Sequence, residues 1–462
     1  MPTVPFSGNS AQQGGNNLLF ADLHLHSKYS RAVSPAMDLE HLSRGGRLKG
    51  LQIIGTGDFT HPVWFAELRK KLVPAEGAPG LFELSAEGGG KKSRVLFMLT
   101  AEVATFFSQG GKSRKVHHVL HVPSFDDALH LNEAFSKRSN LSADGRPMFA
   151  NTSCEEMAEI FYSHSPKGAL VPAHAWTPWF GVFGSESGYD SLSEAFGSQS
   201  KNIFAIETGM SSDPAMNWRV SSLDKIALMS NSDSHSPYPW RLGRECNAFT
   251  IPEEKISFET LFGAVREKDA SRFAFTLEVN PSYGKYHVDG HRLCNFSSLP
   301  PETKKLRGIC PVCKRPLTIG VLNRVEELAD RPEGFVPKNA IPFKSILPLH
   351  ELVAACHASS LSSKRVSEDG AKLMAAFGSE LNVLLSAPES GIAKVVHEKI
   401  ASAIMLNRMG KIEVAPGYDG EYGIAKIPAE LLLGEPKAGR ESKKQEQTPL
   451  PQALEQKSLG EF

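Results

Sequence analysis

The sequence predicts an α/β fold, a β/α barrel with a mainly parallel sheet, followed by two smaller modules. Three observations predict it. Short apolar runs alternate with longer, more polar stretches from Leu18 to about residue 278. Side chains able to hold a metal stand at or just after the ends of most of those runs. Beyond residue 283 the chain turns to glycine, histidine and cysteine, and from about 320 to helical periodicity.

Residues 1–17, rich in Gly, Asn, Gln and Ser, read as a disordered tail. The apolar runs cover 18–21, 51–54, 95–99, 116–122, 169–171, 203–206 and 226–229, and helices fit between several of them, at 38–49, 63–73, 126–138 and 154–163. His24 and His26 follow the first run, Asp58 the second, Glu102 the third, His174 the fifth, and Asp233 with His235 the seventh; Glu207 ends the sixth. In a β/α barrel the C-terminal strand ends form the face that carries the active site, so groups dispersed in sequence converge there. The barrel is expected over 18–278, a zinc-ribbon module over 283–320, a helical C-terminal module over 321–434 with a turn at 416–420, and a second disordered tail over 435–462.

Composition narrows the function. In 462 residues, 41% are hydrophobic and 22% charged, as in ordinary globular proteins, and 51 basic residues balance 51 acidic ones. Any nucleic-acid binding must therefore come from local patches. Six cysteines, only three of them clustered, are not a disulfide framework and point to a reducing, cytoplasmic setting. The N-terminus lacks a signal-peptide pattern, and no stretch approaches the roughly 20 apolar residues of a membrane span.

His24 and His26, two apart at a strand end, can reach one ion from one side of the strand. Glu102 and Asp233 supply carboxylates, one of which can bridge two ions; His118 and His174 add nitrogen ligands, and Asp233-Ser234-His235 repeats the two-apart spacing. This mixture suits zinc, manganese or iron better than calcium, and adjacent ions polarise a phosphate and activate a water. His41, His130, His350, His357 and His397 read as core or surface residues. Of His117 and His118, which face opposite sides of a strand, only one is a ligand, and His118 is chosen.

These motifs, Asp22-Leu23-His24-Leu25-His26-Ser27, Gly55-Thr56-Gly57-Asp58, Glu102, His118, Ala173-His174 and Ser232-Asp233-Ser234-His235, resemble the PHP (polymerase and histidinol phosphatase) superfamily. The resemblance implies a distorted seven-stranded β/α barrel with two or three divalent ions (Zn, Mn or Mg). It implies that His24, His26, Glu102 and Asp233 hold the first, that Glu102, His118 and His174 hold another, and that His235 helps hold a third. Ala32 and Phe59 stand where the superfamily usually has histidines; Asp58 and His61 are the remaining candidate ligands there.

His291-Arg292-Leu293-Cys294 and Cys310-Pro311-Val312-Cys313, separated by 15 residues, match the two-knuckle spacing of a structural zinc site with one Cys replaced by His. His287 is the rival fourth ligand.

Longer stretches resemble the endonuclease Q family of PHP-type repair nucleases. They are Gly55 to Pro62, Pro172 to Trp179, Glu207 to Pro214 with Asn217-Trp218-Arg219, Arg241-Leu242-Gly243-Arg244-Glu245, Cys310 to Cys313 with Leu317 to Leu322, Val325 to Arg331, and Gly417 to Gly423. The resemblance runs from about 18 to about 430. It implies cutting of damaged DNA on the 5′ side of hypoxanthine, uracil, xanthine and abasic sites by metal-activated water, leaving a 3′ hydroxyl and a 5′ phosphate, with His24, His26, Glu102, Asp233 and His235 as the catalytic set. A damaged base must leave the stack to be inspected. Trp176, Trp179 and Trp218 can stack; Glu207, Ser211, Ser212 and Asn217 can bond a base edge; Arg219, Arg241 and Arg244 can hold phosphates. Core packing is the competing role for each tryptophan. In the tail, Gln456, Leu459 and Phe462 resemble the peptide that docks into sliding clamps, with one aromatic where two are usual. The protein is expected to act as a monomer. A small-molecule phosphatase, such as a histidinol-phosphate hydrolase, has no use for the ribbon and the helical extension. A non-catalytic DNA-binding scaffold has no use for an intact ligand set.

Overall fold

The computed structural model describes residues 18–85 and 94–434. The expected tails, 1–17 and 435–462, lie outside the described residues, and with them Gln456, Leu459 and Phe462. Each of the seven apolar runs carries a strand: β1 (Leu19–Asp22), β2 (Ile53–Gly55), β3 (Leu96–Gln109), β4 (Lys112–Val122), β5 (Ala169–Pro172), β6 (Ala205–Glu207) and β7 (Ala227–Met229). Five of them, β1, β2, β5, β6 and β7, are buried along their whole length. Strands covered on both faces read as unbroken apolar runs, which is why the runs were visible.

The sheet is mixed. β1, β2 and β3 are parallel neighbours, β4 lies antiparallel between β3 and β5, and β6 pairs in parallel with β7. Between β5 and β6 the path continues through the Ala175 amide, which donates to Glu207 O at 2.9 Å. Beyond β7, Ser234 bridges Leu25 in parallel, which returns the path to the end of β1. Outside this path, strands Cys246–Phe249 and Phe273–Glu278 extend the β1 edge antiparallel.

Four helices occupy the expected places: α1 (Leu39–Lys49), α2 (Pro62–Lys71), α3 (Phe125–Ser136) and α4 (Cys154–His164). Their starts are chemically marked. The Asp38, Ser124 and Ser153 side chains accept backbone N–H bonds from the first turns of α1, α3 and α4, and α2 begins with proline at its first position.

One expectation about strand ends needs correction. The run at 95–99 opens a 14-residue strand, so Glu102 sits inside β3 rather than after it. Residues 100–107 are Thr-Ala-Glu-Val-Ala-Thr-Phe-Phe, which still favour extended backbone, and β4 hydrogen-bonds along this length. The region 321–434 is also less uniformly helical than expected. Helices Leu349–Cys356, Lys364–Phe377, Glu380–Leu385 and Glu398–Arg408 pack together. Strand Phe343–Ser345, however, adds to the main sheet beside Phe273–Glu278, and Glu413–Ala415 forms a hairpin with Ile424–Lys426. A buried ion pair joins the two regions, with Lys49 Nζ 2.8 Å from Glu380 Oε1. Among the described residues, no helix is long and apolar enough to cross a membrane.

Candidate metal centre

Seven side chains meet at one end of the β1–β7 path. The possible ligand atoms of His24, His26 and Glu102 all lie within 4.8 Å of one another, as do those of His26, Asp233 and His235, and those of Glu102, His117 and His174. His26 and Glu102 each belong to two of these groups. Glu102 Oε1 lies 2.8 Å from His117 Nδ1, 3.2 Å from His174 Nε2 and 3.6 Å from His24 Nε2. Its Oε2 faces His26 Nε2 at 3.4 Å and accepts from Arg146 at 3.1 Å. This buried carboxylate therefore touches histidines of both groups, Oε1 facing His24, His117 and His174 and Oε2 facing His26.

An outer layer fixes the rings. His24 Nδ1 donates to Glu207 Oε2 at 2.8 Å, and His26 Nδ1 to Asp58 Oδ1 at 3.1 Å. Glu207 is itself held by Asn231 Nδ2 at 2.7 Å and by the His174 amide at 3.1 Å. Asp58 Oδ2 accepts from Ser27 N and Oγ and from Ser30 Oγ. Carboxylates that hold the far nitrogen of a histidine are the usual support of metal ligands. Asp58, His174 and Asp233 all adopt positive φ (51°, 29° and 46°), and a β-carbon on Gly209 would fall 2.7 Å from that of His174. Such backbone costs of order 1–3 kcal/mol per residue, and its clustering here marks a site the surrounding fold holds under constraint.

The donor set fits divalent cations. His24 Nε2, His26 Nε2 and Asp233 Oδ1 are buried with no hydrogen-bond partner, yet all point into the same space. Burial would lower the pKa of His24, but the carboxylates of Glu207, Glu102 and Asp233 outweigh it and hold it well above 6.5. Burial likewise opposes, and Asp58 with Asp233 and Glu102 overcomes, the same rise in His26. Burial would raise Glu102; His117, Arg146 and His24 hold it well below the usual carboxylate range. Protons here occupy positions where the surrounding negative charge favours cations. Burial also pushes His117 down to about 4, against Glu102, leaving a neutral nitrogen donor at neutral pH.

The choice of His118 is corrected. His118 is fully buried on the other face of β4, with Nε2 3.0 Å from Thr105 Oγ1 and its ring against Phe196. His117 joins the cluster in its place. Asp58 contacts His26 but belongs to the outer layer. His61 stands apart, at the residue before α2 and without a side-chain bond to the helix, its ring stacked on Tyr29. Arg146, which the sequence reading missed, brings a cation onto Glu102.

A cavity of about 280 Å³ opens beside the cluster, lined in part by His174, Trp179, Ser211, Asp233, Arg244 and Tyr286. Of the base- and phosphate-binding candidates, Trp179, Ser211, Arg244 and Glu207 reach it. The others do not. Trp176 is 1% exposed and donates to Asn217 Oδ1, while Asn217 in turn donates to Ser212 Oγ. These three form a buried network of core residues. Trp218 packs on Phe343, and Arg219 makes a two-pronged bond to Glu326. Arg241 lies by Glu351 at 3.6 Å. In each case packing or an internal ion pair claims the side chain. Trp179, 42% exposed, meets Tyr286 edge-on at 5.5 Å.

A second cluster lies in the expected ribbon. One atom each of His291, Cys294, Cys310 and Cys313 lie within 4.8 Å of one another, with His291 Nδ1 3.1 Å from Cys294 Sγ and 3.2 Å from Cys313 Sγ. The hairpin of Asp289–His291 and Phe296–Ser298 carries the first two. His287, the rival, is buried outside the group.

Residues 348–411 match the MJ0043 C-terminal domain family. Protein MJ0043 of Methanocaldococcus jannaschii is 31% identical over 253 residues, 54% of this chain, and the chain spans only 31% of that relative's length. The crystal structure of the lesion-specific endonuclease PfuEndoQ from Pyrococcus furiosus is 33% identical, with a TM-score of 0.78 over 91% of this chain and 98% of that one. A structure of Endonuclease Q bound to a 27-mer duplex substrate with an abasic lesion at the active site matches at 33% identity and a TM-score of 0.78, over 90% and 98% of the two chains.

Proposed function

The chain belongs to the endonuclease Q family, and from that premise we propose that it is a DNA repair endonuclease. Its substrate is duplex DNA carrying a deaminated base (hypoxanthine, uracil or xanthine) or an abasic site. It hydrolyses the phosphodiester 5′ to the lesion. The observation that carries the reading is the convergence of three overlapping ligand groups beside a cavity rimmed by an exposed tryptophan and an arginine.

His24, His26, Glu102 and Asp233 would hold one divalent ion, and Glu102, His117 and His174 another; Asp233 and His235 offer ligands for a third. Bound there, such ions supply Lewis acidity to a water and to the phosphate. The chain's own groups do the rest. Glu207 and Asp58 orient the two inner histidines. Glu102 joins the two groups. Asp233 and His235, the more exposed members, are the ones an incoming phosphate would meet. Trp179 and Tyr286 offer ring surface to a base out of the stack, and Arg244, with its guanidinium on Ser232 O at 3.0 and 3.1 Å, sets positive charge at the cavity wall. The His291, Cys294, Cys310 and Cys313 donors suit one structural zinc, four ligands with no open position.

The test is a labelled duplex with one deoxyinosine, deoxyuridine or abasic site, incubated with Mn²⁺, Mg²⁺ or Zn²⁺. A single cut 5′ to the lesion, with 3′-hydroxyl and 5′-phosphate ends, is expected. No cleavage with any lesion or metal, or phosphate release from histidinol phosphate instead, overturns it.

A further inference from the structure

We propose that Tyr238 presents a stacking platform for an unstacked nucleobase of the lesion-containing duplex, beside the metal centre rather than in its cavity. The inference rests on the DNA-binding reading above. The Tyr238 ring lies flat on the Trp240 indole, with centroids 4.7 Å apart and planes 7° apart, and Trp240 also meets His350, at 4.6 Å and a tilt of 45°. Tyr238 remains 48% exposed. The ring is thus backed by Trp240 while about half of the residue stays open to solvent.

The platform is rigid. The amides of Arg241 and Leu242 both donate to Tyr238 O at 2.9 Å, which locks the turn that carries the ring. His350 sits on helix Leu349–Cys356, whose first amide donates to Glu380. A fixed ring loses little entropy when a base settles on it.

The placement selects the occupant. Tyr238 follows His235 by three residues, so their α-carbons are at most about 11 Å apart. Stacked nucleotides rise about 3.4 Å each, so a strand with its phosphate at the cluster passes the platform within about three nucleotides. Extruding a lesion leaves neighbouring bases without a stacking partner and one base without a pair. A tyrosine face accepts any base, because stacking on an aromatic is tolerant of sequence.

The experiment uses the full chain and a deoxyinosine duplex with 2-aminopurine placed either next to the lesion or opposite it. Affinity is read by anisotropy, stacking by 2-aminopurine quenching, and folding by melting temperature. Wild type and Tyr238→Phe should bind alike and quench at one of the two positions. Tyr238→Ala and Tyr238→Leu should bind about ten-fold more weakly and lose the quenching, and KM for cleavage should rise more than kcat falls. Tyr238→Leu retains an apolar contact with Trp240, so it separates loss of the ring from loss of packing. Affinity and quenching within two-fold of wild type in Tyr238→Leu overturn the platform, as does Tyr238→Phe behaving like the alanine variant. Cleavage without Tyr238 dependence removes the platform alone. Tyr238-dependent binding without cleavage removes the nuclease reading alone, and absence of DNA binding removes both.

Discussion

The two donor clusters make opposite use of similar chemistry. The His/carboxylate centre draws its members from positions 24 to 235, buries most of them, backs two histidines with carboxylates and borders a cavity. The His/Cys cluster draws four donors from residues 291–313, leaves three of them half-exposed and offers no further ligand. Closed four-ligand sites hold structure, whereas sites with spare ligands and open space do chemistry. Dispersal makes the first centre depend on the whole N-terminal sheet, while the second depends mainly on its own hairpin and the Cys310–Cys313 turn.

The largest test of this contrast is Asp233→Asn. Removing this half-buried carboxylate should cost roughly 1,000-fold in cleavage, the several kcal/mol expected of metal-assisted charge stabilisation, with the melting temperature nearly unchanged. Cleavage within ten-fold of wild type would remove Asp233 from the centre. Next, Glu207→Gln should weaken metal affinity or activity by about 10- to 100-fold without removing a ligand; isothermal titration with Mn²⁺ would show whether the loss lies in binding. His117→Ala should fall in the same range, whereas His118→Ala should leave kcat largely intact and lower stability by about 1–3 kcal/mol in urea unfolding. The reverse pattern would restore His118 as the ligand.

Cys310→Ser probes the other region. It should lower the melting temperature by about 5–10 °C while Mn²⁺ titration of the His/carboxylate centre stays near wild type; equal damage to both would erase the distinction drawn between them. The smallest effect concerns pH in the metal-free protein. His24 and His26 have folded pKa values above 6.5. Their contribution to stability is complete below the unfolded value and fades as pH rises through the folded ones. With chelator present, melting temperature should decline slightly from about pH 6.5 upward, while stabilisation by added Mn²⁺ grows over the same interval. A metal increment that does not change with pH would argue against proton competition at these rings.

Much of the centre was legible because strand ends and two-apart spacings are local signals. What misled was the β3–β4 hairpin. Gly110 and Gly111, both at positive φ, form a two-residue turn that pairs Gln109 with Lys112. Counting back from that turn places His117 opposite Ala104, on the face of Glu102, and His118 opposite Val103, on the other face. The Gly-Gly signal was in the sequence, but the strand between runs was not recognised as continuous. Trp176, Asn217 and Arg219 misled differently. A loop near a site has the same composition whether its polar groups face a ligand or each other, and only burial and pairing tell these apart. Arg146 had no signal at all, since its loop meets Glu102 only through tertiary packing.

The pair between Lys49 and Glu380 has a practical meaning for anyone dissecting the molecule. Lys49 ends α1, Glu380 begins a helix of the C-terminal region, and both are sealed from solvent. Truncating the chain near residue 347 would strip the ammonium of its counter-charge and bare the surface that Trp240 shares with His350. Breaking such a pair typically costs about 3–5 kcal/mol, a large part of what keeps an average domain folded. The N-terminal sheet and helices that hold the His/carboxylate cluster are therefore not a detachable cassette. Domain swaps between relatives should carry both halves of this lock, or replace the lysine and the glutamate together with a well-packed apolar pair.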